Sequence, residues 1–240
     1  MRFAIFGDIH ANLEALQTVL ADAREQGSTE YVCLGDVVGY NANPKECLSL
    51  VQSLKCPVVK GNHDEYSSSD SVLDSLNPLA ELAIQWTRDQ LTVEEKQWLS
   101  ALPYVCEVHG FTIVHATLFD PPSWDYVLNQ LNAAASFSEQ KTEICFYGHT
   151  HVPRAYLHEN SVIGMPYEEL SLVPGPQYFI NVGSVGQPRD GDWRAAYVIF
   201  DTETRTVCLR RLPYDLPTTQ KKILACGLPP RLADRLALGR

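Results

Sequence analysis

No apolar run in this 240-residue sequence approaches the roughly 20 residues needed to span a bilayer. Met1-Arg2-Phe3 enters a short strand-like segment, not the hydrophobic stretch of a signal peptide, so a cytoplasmic protein without a membrane partner is expected. The seven cysteines (Cys33, Cys47, Cys56, Cys106, Cys145, Cys208 and Cys226) are odd in number and include no C-x-x-C pair, which argues against a disulfide framework. Several lie in apolar strand-like runs and read as reduced core residues. Low-complexity blocks are missing, and so are the G-x-G-x-x-G and Walker patterns. Basic residues are in deficit, with 19 Lys and Arg against 29 Asp and Glu, and a net charge of -10 opposes general attraction to phosphate backbones. Nucleic acid is therefore disfavoured as a partner unless a local positive source, such as metal ions, is supplied.

What is present is an ordinary globular composition, 45% apolar and 20% charged, in a chain long enough to bury a substantial core. Arg2-Phe3-Ala4-Ile5-Phe6 reads as a strand ending in Gly7-Asp8-Ile9-His10. From Asn12, a candidate N-cap, apolar residues at Leu13, Leu16, Val19, Leu20 and Ala23 recur at helical spacing up to a stop at Gly27. The pattern repeats. Tyr31 to Leu34 leads into Gly35-Asp36, Pro44 to Leu54 reads as a helix, and Val58-Val59-Lys60 leads into Gly61-Asn62-His63-Asp64.

Residues 67–102 carry helical patterns around Leu79 to Trp86 and Val93 to Leu99, and read as a helical insertion that covers the core or forms a lid. Tyr104 to Val108 and Phe111 to His115 flank a two-residue hairpin signal at His109-Gly110. Asp125 to Ala135 reads as helical, and Ile144 to Tyr147 as the strand before Gly148-His149-Thr150-His151. Strand-rich sequence follows, then a tail from about 213 to 240 with amphipathic patterns at Thr218 to Ala225 and Arg231 to Leu238. This tail either docks on the body or mediates self-association into a homo-oligomer. The whole reads as one domain over 1–240 of mixed α/β (α+β) class with two sheets.

The polar residues at strand ends are Asp8, His10, Asp36, Asn62, His63, His115, His149 and His151, and five of the seven histidines fall among them. Carboxylate, imidazole and amide-oxygen ligands together suit a borderline divalent ion such as Mn, Fe or Zn better than a thiolate-preferring one. Eight such groups exceed the needs of one tetrahedral ion.

The ordered blocks D-x-H, G-D-x-x-G, G-N-H-D, H and G-H-x-H resemble the calcineurin-like metallophosphoesterase superfamily from Asp8 to His151. Leu34 to Tyr40, Asn181 to Asp190 and Gly227-Leu228-Pro229 further resemble a bacterial branch described as phosphodiesterase-like or diadenosine tetraphosphatase-like. The resemblance implies a four-layer αββα sandwich with two mixed central sheets. It implies one metal on Asp8, His10, Asp36 and His151, and a second on Asp36, Asn62, His115 and His149. A metal-bridging hydroxide would then attack in line at phosphorus, hydrolysing a phosphoester or phosphoanhydride of a phosphorylated small molecule or nucleotide.

His63 is left off the metals by this matching and is the candidate to protonate the leaving oxygen, with Asp64 read equally as orienting its ring or as capping the turn. Asn12 and Arg189 are candidate phosphate contacts, though Asn12 reads equally as an N-cap and Arg189 as a surface ion-pair partner. Phosphoprotein phosphatase and dinucleoside polyphosphate hydrolase specificities, and a non-catalytic metal-binding scaffold, stand as alternatives. Ala11 and Ala116 occupy positions where relatives commonly carry glycine. Neither change removes a ligand, but both bear on the mouth of the site and so on substrate.

Overall fold

Side chains along β1 (Arg2–Phe6) alternate between two cores: Phe3 and Ile5 face one hydrophobic cluster while Ala4 and Phe6 face another. That period of two makes β1 part of a sheet covered on both faces. A computed structural model describes residues 1–73 and 76–240. In it β1 pairs in parallel with β2 (Glu30–Cys33) after the crossover helix α1 (Leu13–Glu25), and α2 (Pro44–Leu54) follows. Next come α3 (Asn62–Ser68), α4 (Pro78–Gln90) and α5 (Val93–Ser100), then the hairpin β3 (Val105–Val108) and β4 (Phe111–Val114). After α6 (Gln130–Glu139) the chain is strand-rich: β5 (Ile144–Tyr147), β6 (Arg154–His158), β7 (Val162–Met165), β8 (Glu169–Ser171), β9 (Gln177–Asn181), β10 (Ala195–Asp201) and β11 (Thr206–Leu212). It closes with α7 (Leu216–Ala225) and α8 (Pro230–Leu236).

The strands form two mixed sheets, of order β2-β1-β10-β11-β8 and β3-β4-β5-β9-β6-β7. Phe3, Ile5, Val198 and Phe200 of the first meet Phe111, Ile113, Phe146 and Ile180 of the second, which is the inter-sheet core. Leu16, Val19 and Leu20 of α1 and Leu48 and Val51 of α2 cover the outer face of the first sheet. Ala133 and Phe137 of α6 cover the outer face of the second, against Cys145, Tyr147, Tyr156 and Phe179. The layers are therefore helix, sheet, sheet, helix, as the resemblance implies.

The His109-Gly110 hairpin forms with both residues at positive φ, 45° and 86°, and pairs Val108 with Phe111. The helix expected over Asp125 to Ala135 begins later, at Gln130, because Asn129 caps it by accepting from the N–H groups of Leu131 and Asn132. Residues 120–129 are instead an irregular loop with a single 3-10 turn at Pro121–Ser123, and Asp120 and Trp124 are left-handed.

The tail docks. Ile223, Leu228, Leu232, Ala233 and Leu236 pack on Ala80 and Ala83 of α4 and on Tyr40. Residues 74 and 75 of the 67–102 segment lie outside the described residues. No helix among the described residues is long and apolar enough to cross a membrane.

Candidate metal centre

Four parallel strands, β1 and β2 of one sheet and β4 and β5 of the other, aim their carboxyl ends at a shared rim. Asp8 and His10 leave β1, Asp36 follows β2, His115 follows β4, and His149 and His151 follow β5. Asn62 and His63 arrive as the first two residues of α3, a short helix that the sequence pattern did not mark. Asp8, His10, Asp36 and His151 form one buried group, and Asp36, His115 and His149 a second, with one ligand atom from each residue within 4.8 Å of the others in its group.

The backbone reaches this arrangement at a conformational cost. Asp8, His10, Asp36, His149 and His151 all have positive φ, between 47° and 64°. Such residues cost about 1–3 kcal/mol each and persist only where their surroundings over-determine them. Here the loops are laced together: Asp8 N–H donates to Gly35 O at 3.0 Å, His10 N–H to Asp36 O at 2.8 Å and Gly148 N–H to His115 O at 2.8 Å.

Each imidazole of the two groups spends one nitrogen on a main-chain carbonyl. His10 Nδ1 faces Val38 O at 3.2 Å, His115 Nδ1 faces Leu34 O at 2.7 Å and His151 Nδ1 faces Gln187 O at 2.6 Å, which directs the three Nε2 atoms into the site. His149 is reversed, with Nε2 against Trp124 O at 2.9 Å and Nδ1 turned inward. A carbonyl can only accept, so each outward nitrogen carries a proton; the inward nitrogens of His10, His149 and His151 offer lone pairs, and that of His115 does so once its second proton is displaced.

Asp36 joins the two groups. Its Oδ2 is 3.5 Å from His10 Nε2 and 3.4 Å from His115 Nε2, while its Oδ1 accepts from His63 N–H at 2.8 Å. Burial alone would raise Asp36, but His115, His63 and His10 hold it well below the usual carboxylate range. Burial likewise opposes charge on His115, yet Asp36 and Asp8 push it up to about 9. That proton occupies a field in which a divalent cation would displace it. Burial lowers His10 and His151 well below their ordinary value and His149 to about 3, leaving neutral imidazoles.

The Oδ1 of Asn62 is buried without a hydrogen-bond partner. Such an orphan is unusual, and a cation would satisfy it. Together with the inward lone pairs, it shows that these residues fit divalent metal.

His63 also has an orphaned buried atom, Nδ1, and its ring lies 4.7 Å from that of His10 and 4.4 Å from that of Tyr40. Burial pulls it down to about 4. Of the two readings of Asp64, its hydrogen bonds favour the cap. Asp64 Oδ1 accepts from the N–H groups of Val37 and Val38, at 2.9 and 3.3 Å, and Oδ2 from Gly61 N–H at 3.1 Å, so the carboxylate fastens two site loops together.

Of the two readings of Asn12, the structure favours the N-cap. It is fully buried, caps α1 through Ala15 N–H at 3.2 Å and donates to Gly186 O at 2.9 Å, so its amide works inside the fold and does not line the cleft. Arg189 does line it, with its guanidinium held by Gln187 Oε1 at 2.8 Å and lying over the Tyr40 ring.

Sequence reasoning missed Trp124, whose carbonyl orients His149, and Tyr126, whose ring stacks on His149 at 4.2 Å. It also missed Ser184, which donates to Asp8 O at 2.8 Å. The Asn181 to Asp190 run was a signal for Ser184 and Gln187, whereas nothing in the side-chain pattern marks a carbonyl.

Comparison with known proteins agrees with this geometry. Residues 1–205 match the model of the calcineurin-like phosphoesterase superfamily domain. The uncharacterized protein MJ0912 of Methanocaldococcus jannaschii is 36% identical over 242 residues, which cover 99% of this chain and 98% of that one. The crystal structure of a metallophosphoesterase from Sphaerobacter thermophilus is 40% identical, with a TM-score of 0.89 and coverage of 100% and 99% of the two chains. Protein PH1004 of Pyrococcus horikoshii OT3 shares the fold at 19% identity, with a TM-score of 0.82 and coverage of 100% and 98%.

Proposed function

Because the chain belongs to the calcineurin-like phosphoesterase superfamily and is a phosphoesterase hydrolase, we propose that it cleaves phosphoester or phosphoanhydride bonds of phosphorylated small molecules at a pair of divalent cations. One cation would be held by Asp8, His10, Asp36 and His151, and the other by Asp36, Asn62, His115 and His149. The observation that carries this reading is that Asp36 belongs to both buried groups, with one oxygen placed between His10 and His115. The mixed oxygen and nitrogen ligands favour Mn, Fe or Zn. When bound, the cations lower the pKa of water and neutralise charge developing on phosphoryl oxygens.

The chain's own groups do the rest. Neutral His63 faces the cleft from the first turn of α3, where it can donate to the leaving oxygen, and an anionic phosphate beside it raises its proton affinity. Asp64 is a positioning residue that fixes the Gly61 end of the same turn. Arg189 offers a planar pair of donors to phosphate oxygens. Seven free cysteines accord with a cytoplasmic setting.

The test is metal analysis joined to a screen of aryl monoester, aryl diester, cyclic nucleotide, dinucleoside polyphosphate and phosphopeptide. Two metal equivalents and turnover of at least one ester are expected. Full occupancy without turnover of any of them would overturn the reading.

A further inference from the structure

The cleft at the metal centre, about 110 Å³, adjoins a larger pocket of about 610 Å³, and the two share Tyr40, Asn77, Tyr126 and Arg189. The larger pocket has an unusual charge for this protein. Four arginines line it, Arg189, Arg231, Arg235 and Arg240, against a single acidic side chain, Asp234, in a chain of net charge -10. Its other walls are α4, through Pro78 and Leu79, and the tail.

Why the arginines gather follows from α8. Leu232, Ala233 and Leu236 bury one face of the helix against α4, α7 and Tyr40, so Arg231 and Arg235, one turn apart, share the opposite face. The Arg235 guanidinium lies 5.8 Å from the Tyr40 ring and that of Arg189 5.7 Å from it, so the tyrosine links the two pockets through cation–π contacts. No side-chain ion pair neutralises Arg189, Arg231 or Arg235 among the described residues; Arg235 Nε donates to the main-chain oxygen of the last residue, Arg240, which offsets part of its charge, and Arg189 and Arg231 have no such contact. Mutual repulsion of guanidiniums in a half-enclosed pocket is unfavourable until an anion enters. The matched family region ends at residue 205, so α8 adds this feature outside it.

We propose that this pocket is a second anion subsite, which holds a phosphate group of the substrate remote from the one being cleaved. The inference rests on the proposed phosphoesterase site and narrows its substrates to molecules with at least two phosphate groups, such as phosphoanhydrides or bisphosphates. Arg231 and Arg235 are then specificity residues. The planar donor pair of each suits phosphate oxygens, and the pocket volume lies within the range of small-molecule sites.

The test is calorimetric binding to the metal-loaded protein of imidodiphosphate, whose P–N–P bridge resists hydrolysis, compared with orthophosphate. The wild type should prefer imidodiphosphate by at least about tenfold, and R231Q/R235Q should lose that preference. Chelation of metal by the anion is common to both proteins, so the difference between them reads the arginines. R231K/R235K, which keeps the charge, should recover part of the preference and so separates loss of charge from damage to α8. Equal affinity of the wild type for the two anions, or an undiminished preference in R231Q/R235Q, sinks the subsite. Absence of any phosphoester hydrolysis by the metal-loaded wild type sinks instead the proposed function, through a separate measurement.

Discussion

His10 Nε2 and His151 Nε2 face one another at 3.1 Å, although each ring already gives its Nδ1 hydrogen to a main-chain carbonyl. Two lone pairs at that distance repel, and burial keeps both rings neutral, so neither proton nor solvent relieves them. A divalent cation held by these residues would relieve them. His149 makes its corresponding approach to His115, not to His151, with Nδ1 and Nε2 at 3.2 Å. The two imidazoles of Gly148-His149-Thr150-His151 therefore serve different groups.

Metal stoichiometry should separate these residues. His149→Ala and His151→Ala are each expected to lose about one metal equivalent of two, whereas Asp36→Asn should compromise both. Loss of metal charge at phosphorus removes several kcal/mol of transition-state stabilisation, so Asp36→Asn should cut turnover by about 10³-fold or more. Elemental analysis of the three purified variants decides it. Full retention of two metals by Asp36→Asn would remove the bridging role.

His63→Ala should leave metal content near wild type while lowering kcat by about 10²–10⁴-fold on alkyl esters, whose leaving group needs a proton. On a nitrophenyl ester, which departs without help, the loss should be much smaller. Equal losses on the two substrates would argue for a structural role. The same comparison with Asp64→Asn should show a lowered melting temperature as well, because the amide puts an N–H against at least one of the three backbone donors that the carboxylate accepts.

Most of the metal centre was legible because each ligand ends a short apolar run, and the carboxyl ends of β1, β2, β4 and β5 converge once the two sheets pack. Less legible were interactions made by main-chain atoms or by residues far apart in sequence. The Trp124 carbonyl reaches His149 only because Asn129 delays α6 and left-handed Trp124 turns the loop. Asn12 carried two readings, and burial decided for the cap. The tail's apolar face could not name its partner, since Tyr40, Ala80 and Ala83 come from remote segments.

Gly61 and Gly148 do not have a positive φ, and their role is close approach. A Cβ on Gly61 would overlap Asp36 Oδ1, and one on Gly148 would lie 2.5 Å from Asp8 Oδ2. Gly61→Ala should therefore weaken metal binding without altering any ligand, on the scale of about 10–100-fold expected for groups that orient ligands. Metal titration followed by intrinsic fluorescence measures it. Unchanged affinity would mean that Asp36 can move without consequence.

Away from the site, Asp22 joins α1 to the first sheet. Asp22 accepts from Arg210 at 2.7 and 3.0 Å and from the Tyr197 hydroxyl at 2.6 Å. Burial would raise this carboxyl, but the bonds from Arg210 and Tyr197 overcome it and lower it below the ordinary 3.8. A depressed carboxylate binds fewer protons folded than unfolded, so its contribution is fully present above pH 3.8 and is lost as pH falls through the folded value. Asp22→Asn should cost about 1–2 kcal/mol at pH 7, allowing for the partial exposure of Arg210. The difference from wild type should shrink toward pH 3, because acid removes from the wild type the same charge that the substitution removes. Urea unfolding of both proteins at the two pH values measures this, and a difference that persists undiminished at pH 3 would assign the effect to packing instead of charge.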